Sequence, residues 1–292
     1  MNWRRYRRAI SAGCGVALLG FLAISWIVGG ALVAPANHPV GNPPADLQIV
    51  SVKFHSDSGS SIAGWHVKAE RAAATIILLH GIGADRRSML NRARLFYGAG
   101  YSILMIDLQA HGESPGANIT IGHLERLDVR AAVDYVRTVS PNQRVGIVAV
   151  SLGGAAALLG SPLEIDGLVL ESVYPTLSEA VHDRISSRLG PLSYVLAPVL
   201  LYQLKPRLGI SANDLRPIDH IADVGCPVLV ASGDADQHTT LAETQRLYDT
   251  AHAPKQLLIF NGAAHIDLLA YDAQKYQAEV LPFLENCLQR QP

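Results

Sequence analysis

The stretch Arg144-Val-Gly-Ile-Val-Ala-Val-Ser-Leu-Gly-Gly-Ala-Ala-Ala-Leu, residues 144–158, decides how this chain folds. Val145 to Val150 is a short apolar run rich in β-branched side chains, the composition of a buried strand. From Leu152 onward come small residues and leucines, which suit a helix. Ser151 stands at the join. A serine between a buried strand and a helix occupies a sharp turn, with its side chain clear of the sheet and the first helical N–H groups pointing towards it. Only small neighbours fit beside such a turn, and Ala149 and Gly153 supply them in the pattern Ala-x-Ser-x-Gly. A serine that merely caps a helix would satisfy the same pentapeptide, so its meaning depends on what surrounds it.

Outward from this stretch, strands and helices alternate. Leu47–His55 and Ile62–Lys68 read as two antiparallel strands around the turn Asp57-Ser-Gly-Ser. Thr75–Leu79 is a continuous apolar run of the kind that is covered on both faces, and it leads directly into His80-Gly81-Ile82-Gly83. Ser88–Gly100 reads as a helix and Ser102–Ile106 as a third buried strand, followed by the polar loop Asp107–Ser114. Glu125–Val139 repeats apolar residues at helical spacing. Beyond the central stretch, Gly167–Leu170, Pro227–Ala231 and Gln256–Phe260 are short buried strands, and Ile266–Leu288 is a closing helix interrupted or kinked at Pro282. This rhythm predicts an α/β fold with a mostly parallel central sheet and helices on both faces. The insertion over about 173–224 is longer than a crossover needs. Its apolar part, Leu189–Leu204, is broken by Pro191 and Pro198 and reads either as core helices or as a short helical lid over an apolar site.

The N-terminus has a different character. Four arginines lie in residues 1–8, and no charged residue follows between Ala9 and Ala36. The apolar run Ile10–Val33, as a helix rising ~1.5 Å per residue, is long enough for the ~30 Å hydrocarbon core of a bilayer. Residues 1–36 are therefore expected to be a membrane anchor or a signal segment. The run exceeds the ~7–15-residue core of a secretory signal, which favours an uncleaved single-pass anchor; the arginines then leave the N-terminus in the cytoplasm and the domain that follows outside it. Cleavage near Ala31-Leu-Val-Ala34, giving a secreted or periplasmic protein, is the alternative. Residues 37–46 are proline-rich and read as a linker, and 47–292 as the folded domain.

Outside the first eight residues, 20 basic side chains face 25 acidic ones, a balance without the basic excess of a nucleic-acid-binding protein. The three cysteines, Cys14, Cys226 and Cys287, form no metal-ligand pattern and leave room for one Cys226–Cys287 bridge.

A serine hydroxyl is a poor nucleophile at neutral pH unless a base takes its proton and a carboxylate orients that base. Two positions after late strands fit. An acid follows Val228-Leu-Val-Ala-Ser in Gly233-Asp-Ala-Asp236, and a histidine follows Leu257-Leu-Ile-Phe in Asn261-Gly-Ala-Ala-His265. Loops at the carboxyl ends of parallel strands share one crevice.

Taken together, these segments resemble the α/β-hydrolase superfamily over residues 47 to 288. Ala-x-Ser-x-Gly resembles its nucleophile elbow Gly-x-Ser-x-Gly, with Ala149 for the first glycine. Gly233–Asp236 resembles its acid motif, Gly262–His265 its histidine motif, and His80-Gly81 its oxyanion loop. Asp107–Ser114 resembles its Asp-x-x-Gly-His-Gly-x-Ser segment with Ala110 in place of one glycine. The resemblance implies Ser151 as nucleophile, His265 as general base and acid, Asp236 as the orienting carboxylate with Asp234 as its nearest rival, and the backbone N–H groups of Ile82 and Leu152 as the oxyanion hole. His80 and His111 are expected to be structural. Where the family often has a proline after the acid, this chain has His238-Thr239-Thr240, with His238 expected to be a plain loop residue. The resemblance implies no metal and no organic cofactor. It implies a serine hydrolase acting through an acyl-enzyme on carboxylic esters or thioesters. The Gly-Leu-Val-Leu-Glu-Ser segment and the lid are most similar to membrane-associated acyl hydrolases, with a small-molecule or lipid acyl substrate. A serine aminopeptidase-like amide hydrolase and a catalytically silent binding protein of the same fold are the alternatives.

Overall fold

The computed structural model describes residues 3–288. In chain order its elements are α1 (Trp3–Leu32), β1 (Ala36–Asn37), β2 (Ile49–His55), β3 (Ser61–Val67), β4 (Ala74–Leu79), α2 (Leu90–Gly98), β5 (Ser102–Ile106), β6 (His111–Gly112) and α3 (Glu125–Val139). There follow β7 (Arg144–Val150), α4 (Leu152–Leu159), β8 (Gly167–Glu171), α5 (Leu177–Leu189), α6 (Ser193–Tyr202), α7 (Leu204–Leu208), β9 (Val228–Gly233), α8 (Leu241–Thr250), β10 (Lys255–Phe260), α9 (Leu268–Tyr271) and α10 (Ala273–Leu288).

Eight strands form one sheet in the order β10-β9-β8-β7-β4-β5-β3-β2, parallel except where β3 pairs with β2 and β5. The parallel strands are apolar throughout because both faces are covered, and alternate residues face opposite layers. On β4, Ile77 and Leu79 pack with α3 and α4 against one face, while Ile76 and Leu78 pack with α2 and α10 against the other. Gly146 in β7 lets α10 approach closely, since a Cβ there would lie 2.9 Å from Leu288 Cδ1. The α/β architecture with helices on both faces is as the sequence predicts.

Two details differ from the sequence reading, and a third closes a possibility it left open. The closing helix breaks at Asp272, where φ is −144°, and Pro282 lies inside α10 without ending it. Asp272 starts α10 by accepting the Lys275 N–H at 3.0 Å. The start of the proline-rich stretch is fastened to the domain: Ala36 N–H donates to Ala110 O at 2.7 Å and His38 N–H to Gly112 O at 2.9 Å. Prolines 35 and 39 bracket that pairing, so the N–H groups it uses are all present. The cysteines are free thiols.

One buried charge cluster holds the sheet to the α2 and α10 layer. Arg92, 2% exposed, donates to both Glu171 oxygens at 3.0 and 2.5 Å, and Tyr276 Oη donates to Glu171 Oε1 at 2.6 Å. Asp267, at the start of α9, lies 2.9 Å from the same guanidinium. Removing one partner leaves a charge buried and uncompensated, so Arg92→Leu is expected to cost about 3–5 kcal/mol of unfolding free energy. The comparison is Arg94→Leu, whose pair with Asp46 is exposed and is expected to cost under about 1 kcal/mol. Urea denaturation of the two variants measures the difference, and equal losses would contradict it.

Candidate active site

Ser151 alone makes the turn between β7 and α4, with φ 48° and ψ −109°. That backbone conformation costs a residue with a side chain on the order of 1–3 kcal/mol and persists only where its surroundings impose it. Here the Ser151 N–H donates to Glu171 O at 2.9 Å and its carbonyl accepts the Ala155 N–H at 3.0 Å. A Cβ at Gly153 would lie 2.7 Å from Leu79 Cβ and 2.8 Å from His80 O, so α4 begins directly against the end of β4. This contact is why the residue two beyond the serine is glycine.

Asp236 and His265 follow β9 and β10. Asp236 is 3% exposed and accepts from His265 Nδ1 at 2.8 Å, from His238 N–H at 2.8 Å and from Thr239 N–H at 3.0 Å. Burial pushes its carboxyl up, but the His265 hydrogen bond and charge and the two backbone donors outweigh burial and hold it below the ordinary carboxylate range. With Nδ1 on the carboxylate, His265 Nε2 is left without a hydrogen-bond partner among the described residues. Asp234 is exposed and accepts the Gly262 N–H at 2.6 Å, so it ties the two loops together without touching His265. The ring of His238 lies 5.2 Å from that of His265, centre to centre, and borders the same cavity as Ser151. Among the described residues Ser151 Oγ has no hydrogen-bond partner, and in unliganded enzymes such bonds often close only when substrate binds.

Leu152 is the first residue of α4, where an N–H has no acceptor within the helix. A Cβ on Gly81 would lie 3.7 Å from Ser151 Cβ, which sets the Gly81-Ile82 backbone beside the serine. His80, fully buried, holds that loop: its Nδ1 donates to Gly81 O at 2.8 Å and its Nε2 accepts the Leu108 N–H at 3.1 Å. Burial, then neighbouring His111, pushes the His80 pKa down to about 3, so it is neutral near neutral pH. Ala110 has φ 59°, which accounts for the glycine usual at its place. Asp107 accepts the N–H groups of Arg86 and Glu113 at 2.7 and 2.9 Å and pairs with the buried Arg86 guanidinium. Among the described residues no group of three His, Cys, Asp or Glu is placed to hold a metal ion.

The cavity above Ser151 has a volume of about 710 Å³ and is walled mainly by apolar side chains, Val181, Leu196, Val199 and Leu200 of α5 and α6 among them. Arg184 of α5 stands in this wall. Its Nη1 donates to Ala180 O at 3.1 Å, and it forms no ion pair among the described residues. Burial, the foremost influence, lowers its pKa. Neither Arg184 nor the part of α1 that lines the cavity is foreseen in the sequence. An arginine among lid residues and an apolar helix carry no local sign of what they will face.

The family model for the serine aminopeptidases, S33, matches residues 70–218. The esterase Pf2001 of Pyrococcus furiosus shares the fold with a TM-score of 0.72 at 21% identity, covering 88% of this chain and 99% of that one. The uncharacterized protein YqkD of Bacillus subtilis is 27% identical over 85% of this chain and 83% of its own length. The caffeoylshikimate esterase of Arabidopsis thaliana is 25% identical over 65% of this chain and 70% of its own. The fold is that of an α/β hydrolase. Within that class, the chain belongs to the serine aminopeptidase S33 family.

Proposed function

We propose that this protein is a serine hydrolase cleaving carboxylic esters or thioesters of acyl or lipid-like substrates. The observation that carries the reading is Ser151, held in a strained turn on the wall of an apolar cavity that is also lined by His238, the ring neighbour of the His265 paired with Asp236. Ser151 Oγ attacks the carbonyl carbon while His265 Nε2 takes its proton, and Asp236 stabilises the imidazolium. The carbonyl oxygen becomes an oxyanion held by the Ile82 and Leu152 N–H groups, each such donor being worth about 2.7–4 kcal/mol where tested. The C–O or C–S bond breaks as His265 returns the proton to the leaving group. Water then attacks the acyl-serine, giving a proton to His265, which passes it to Ser151 Oγ as the C–O bond to the serine breaks and the acid leaves. The same residues cut an amide; the apolar cavity favours an acyl chain. Two proteins similar to this one are named esterases.

Ile10–Leu32 is long and apolar enough to cross a membrane. We read it as an anchor that leaves the catalytic domain outside the cytoplasm and brings it to lipid substrates at high local concentration.

Release of p-nitrophenol from esters of rising acyl length by the full chain in detergent tests the reading. Turnover that climbs with chain length supports it. Turnover that stays flat as the acyl chain lengthens, with no lipid cleaved, contradicts it.

Arg184 adds a selectivity. A guanidinium in an apolar wall, with Asp183, Asp236 and Glu243 near enough to act on it but none within ion-pair distance, gains from a ligand that brings an anion into direct contact. Arg184→Gln is expected to lower kcat/KM for an ester whose acyl chain ends in a carboxylate by about 10- to 100-fold, the worth of a charged hydrogen bond, and to leave the neutral ester of equal length within about twofold. Equal losses on both esters would assign Arg184 to the fold instead.

A further inference from the structure

Phe21, Ile24, Ser25, Val28 and Leu32 of α1 line the same cavity as Ser151. They recur at helical spacing and so form one stripe of α1 turned to the lid. Small residues seat this stripe. Ser25 and Gly29 are buried, Gln203 Nε2 donates to Ser25 Oγ at 2.7 Å and to Ser25 O at 3.1 Å, and a Cβ on Gly29 would lie 2.2 Å from Gln203 Oε1. Arg207 donates to the Trp26 carbonyl, and its guanidinium lies 3.7 Å from the centre of the Trp26 ring. Past the helix, Ile119 N–H donates to Val33 O at 2.9 Å, and β1 pairs with β6 beside the loop that Asp107 organises. The membrane-length helix is thus fixed to the lid along its second half and to the domain at its end.

Its other face is bare. Val16, Leu19 and Ile27 are 72%, 69% and 70% exposed, and the neighbouring lid exposes Leu192, Tyr194, Val195 and Tyr202 by 58% or more. An apolar surface of this extent, continuous with a helix able to span a bilayer and edged by tyrosines, fits lipid rather than water. The eleven helical steps from Phe21 to Leu32 rise roughly 16 Å, about the hydrocarbon depth of one leaflet. Ile24, Val28 and Leu32 line the cavity and yet remain 64%, 44% and 56% exposed, so the cavity is open along its α1 side.

We propose that α1 is a permanent wall of the acyl site and that the cavity opens beside it into the bilayer, so that the acyl chain of a membrane lipid enters sideways from the leaflet. For turnover this rests on the ester-hydrolase reading; for binding it does not. Cleavage near Ala34 would strip five residues from the cavity wall and uncover the buried Gln203, so the working protein keeps its N-terminal helix.

The test uses the full chain in phosphatidylcholine nanodiscs, with a fluorescent 16-carbon fatty acid as the binding probe and the p-nitrophenyl ester series as the turnover probe. Val28→Trp fills the cavity from α1; Ile27→Trp places the same bulk on the bare face. Val28→Trp is expected to weaken fatty-acid binding about tenfold or more and to move the ester optimum to shorter chains, whereas Ile27→Trp changes both by less than about twofold. Val28→Ala, which enlarges the cavity with little risk to folding, is expected to move the optimum towards longer chains. Intact mass of protein purified from membranes is expected to include residues 1–36. Fatty-acid binding absent from the wild type, binding and chain-length profile unchanged in both Val28 variants, or a membrane-purified chain beginning after Ala34, would each overturn the proposal. Binding sensitive to Val28 with no ester turned over would uphold it and overturn the ester-hydrolase reading.

Discussion

Ser151→Ala is expected to lower kcat for p-nitrophenyl esters by at least about 10⁴-fold, with the folded protein retained. Without Oγ there is no atom to form the acyl-enzyme, and what turnover persists comes from the oxyanion donors and the cavity acting on water. The backbone turn does not depend on the hydroxyl, because Glu171 O and Ala155 N–H hold it through main-chain groups. The substitution therefore separates chemistry from folding, and circular dichroism and urea denaturation matching the wild type would establish that separation. Residues acting as one unit lose activity together, so Ser151→Ala combined with His265→Ala is expected to be hardly slower than either change alone. Losses that multiply in the double variant would mean that the two side chains work independently.

Asp236→Asn is expected to lower kcat by about 10⁴-fold through the histidine's tautomer. The carboxylate accepts from His265 Nδ1 through Oδ2, and from the His238 and Thr239 N–H groups through Oδ1. An amide can keep the Oδ1 contacts and offer its NH₂ to Nδ1. The proton then moves to Nε2, and the imidazole can no longer accept from the serine. Asp234→Asn, which disturbs only the Gly262 contact, is expected to change kcat by less than about threefold, so the pair of variants decides between the two acids. The pH dependence has a definite sign. Because the folded pKa of Asp236 is held down, its contribution to stability is fully present above the ordinary carboxylate value of about 3.9 and is lost as pH falls through the lower folded value. Asp236 thus remains ionised across the working range, and an acid limb of kcat near neutrality belongs to another group.

How much of this was legible in the sequence depends on how local each signal is. Ser151, Asp236 and His265 each sit within a few residues of an apolar run that ends in small or polar residues, so strand, turn and functional residue can be read from one short window. The alternation of strands and helices is legible for the same reason. The helix break is less so: Pro282 looks like the interruption, but a proline at that turn is tolerated, while Asp272 caps α10 by its own side chain. The attachment of residues 36–38 is made by backbone groups to partners more than 70 residues away, and nothing in their composition announces it. Arg92 and Glu171 meet across 79 residues, and only the folded sheet brings them together. The sharpest case is α1. Hydropathy gives its length and its taste for lipid, but the Ser25-Gly29 face becomes meaningful only with Gln203 opposite it.

The account stands on Ser151 being the nucleophile of an acyl transfer, and the most direct measurement is peptide mass spectrometry of the full chain after reaction with a fluorophosphonate probe in detergent. The account predicts one phosphonylated peptide, the one containing Ser151, formed faster as the probe's alkyl chain lengthens and absent from Ser151→Ala. Labelling of another residue, or no labelling of well-folded protein, would contradict it.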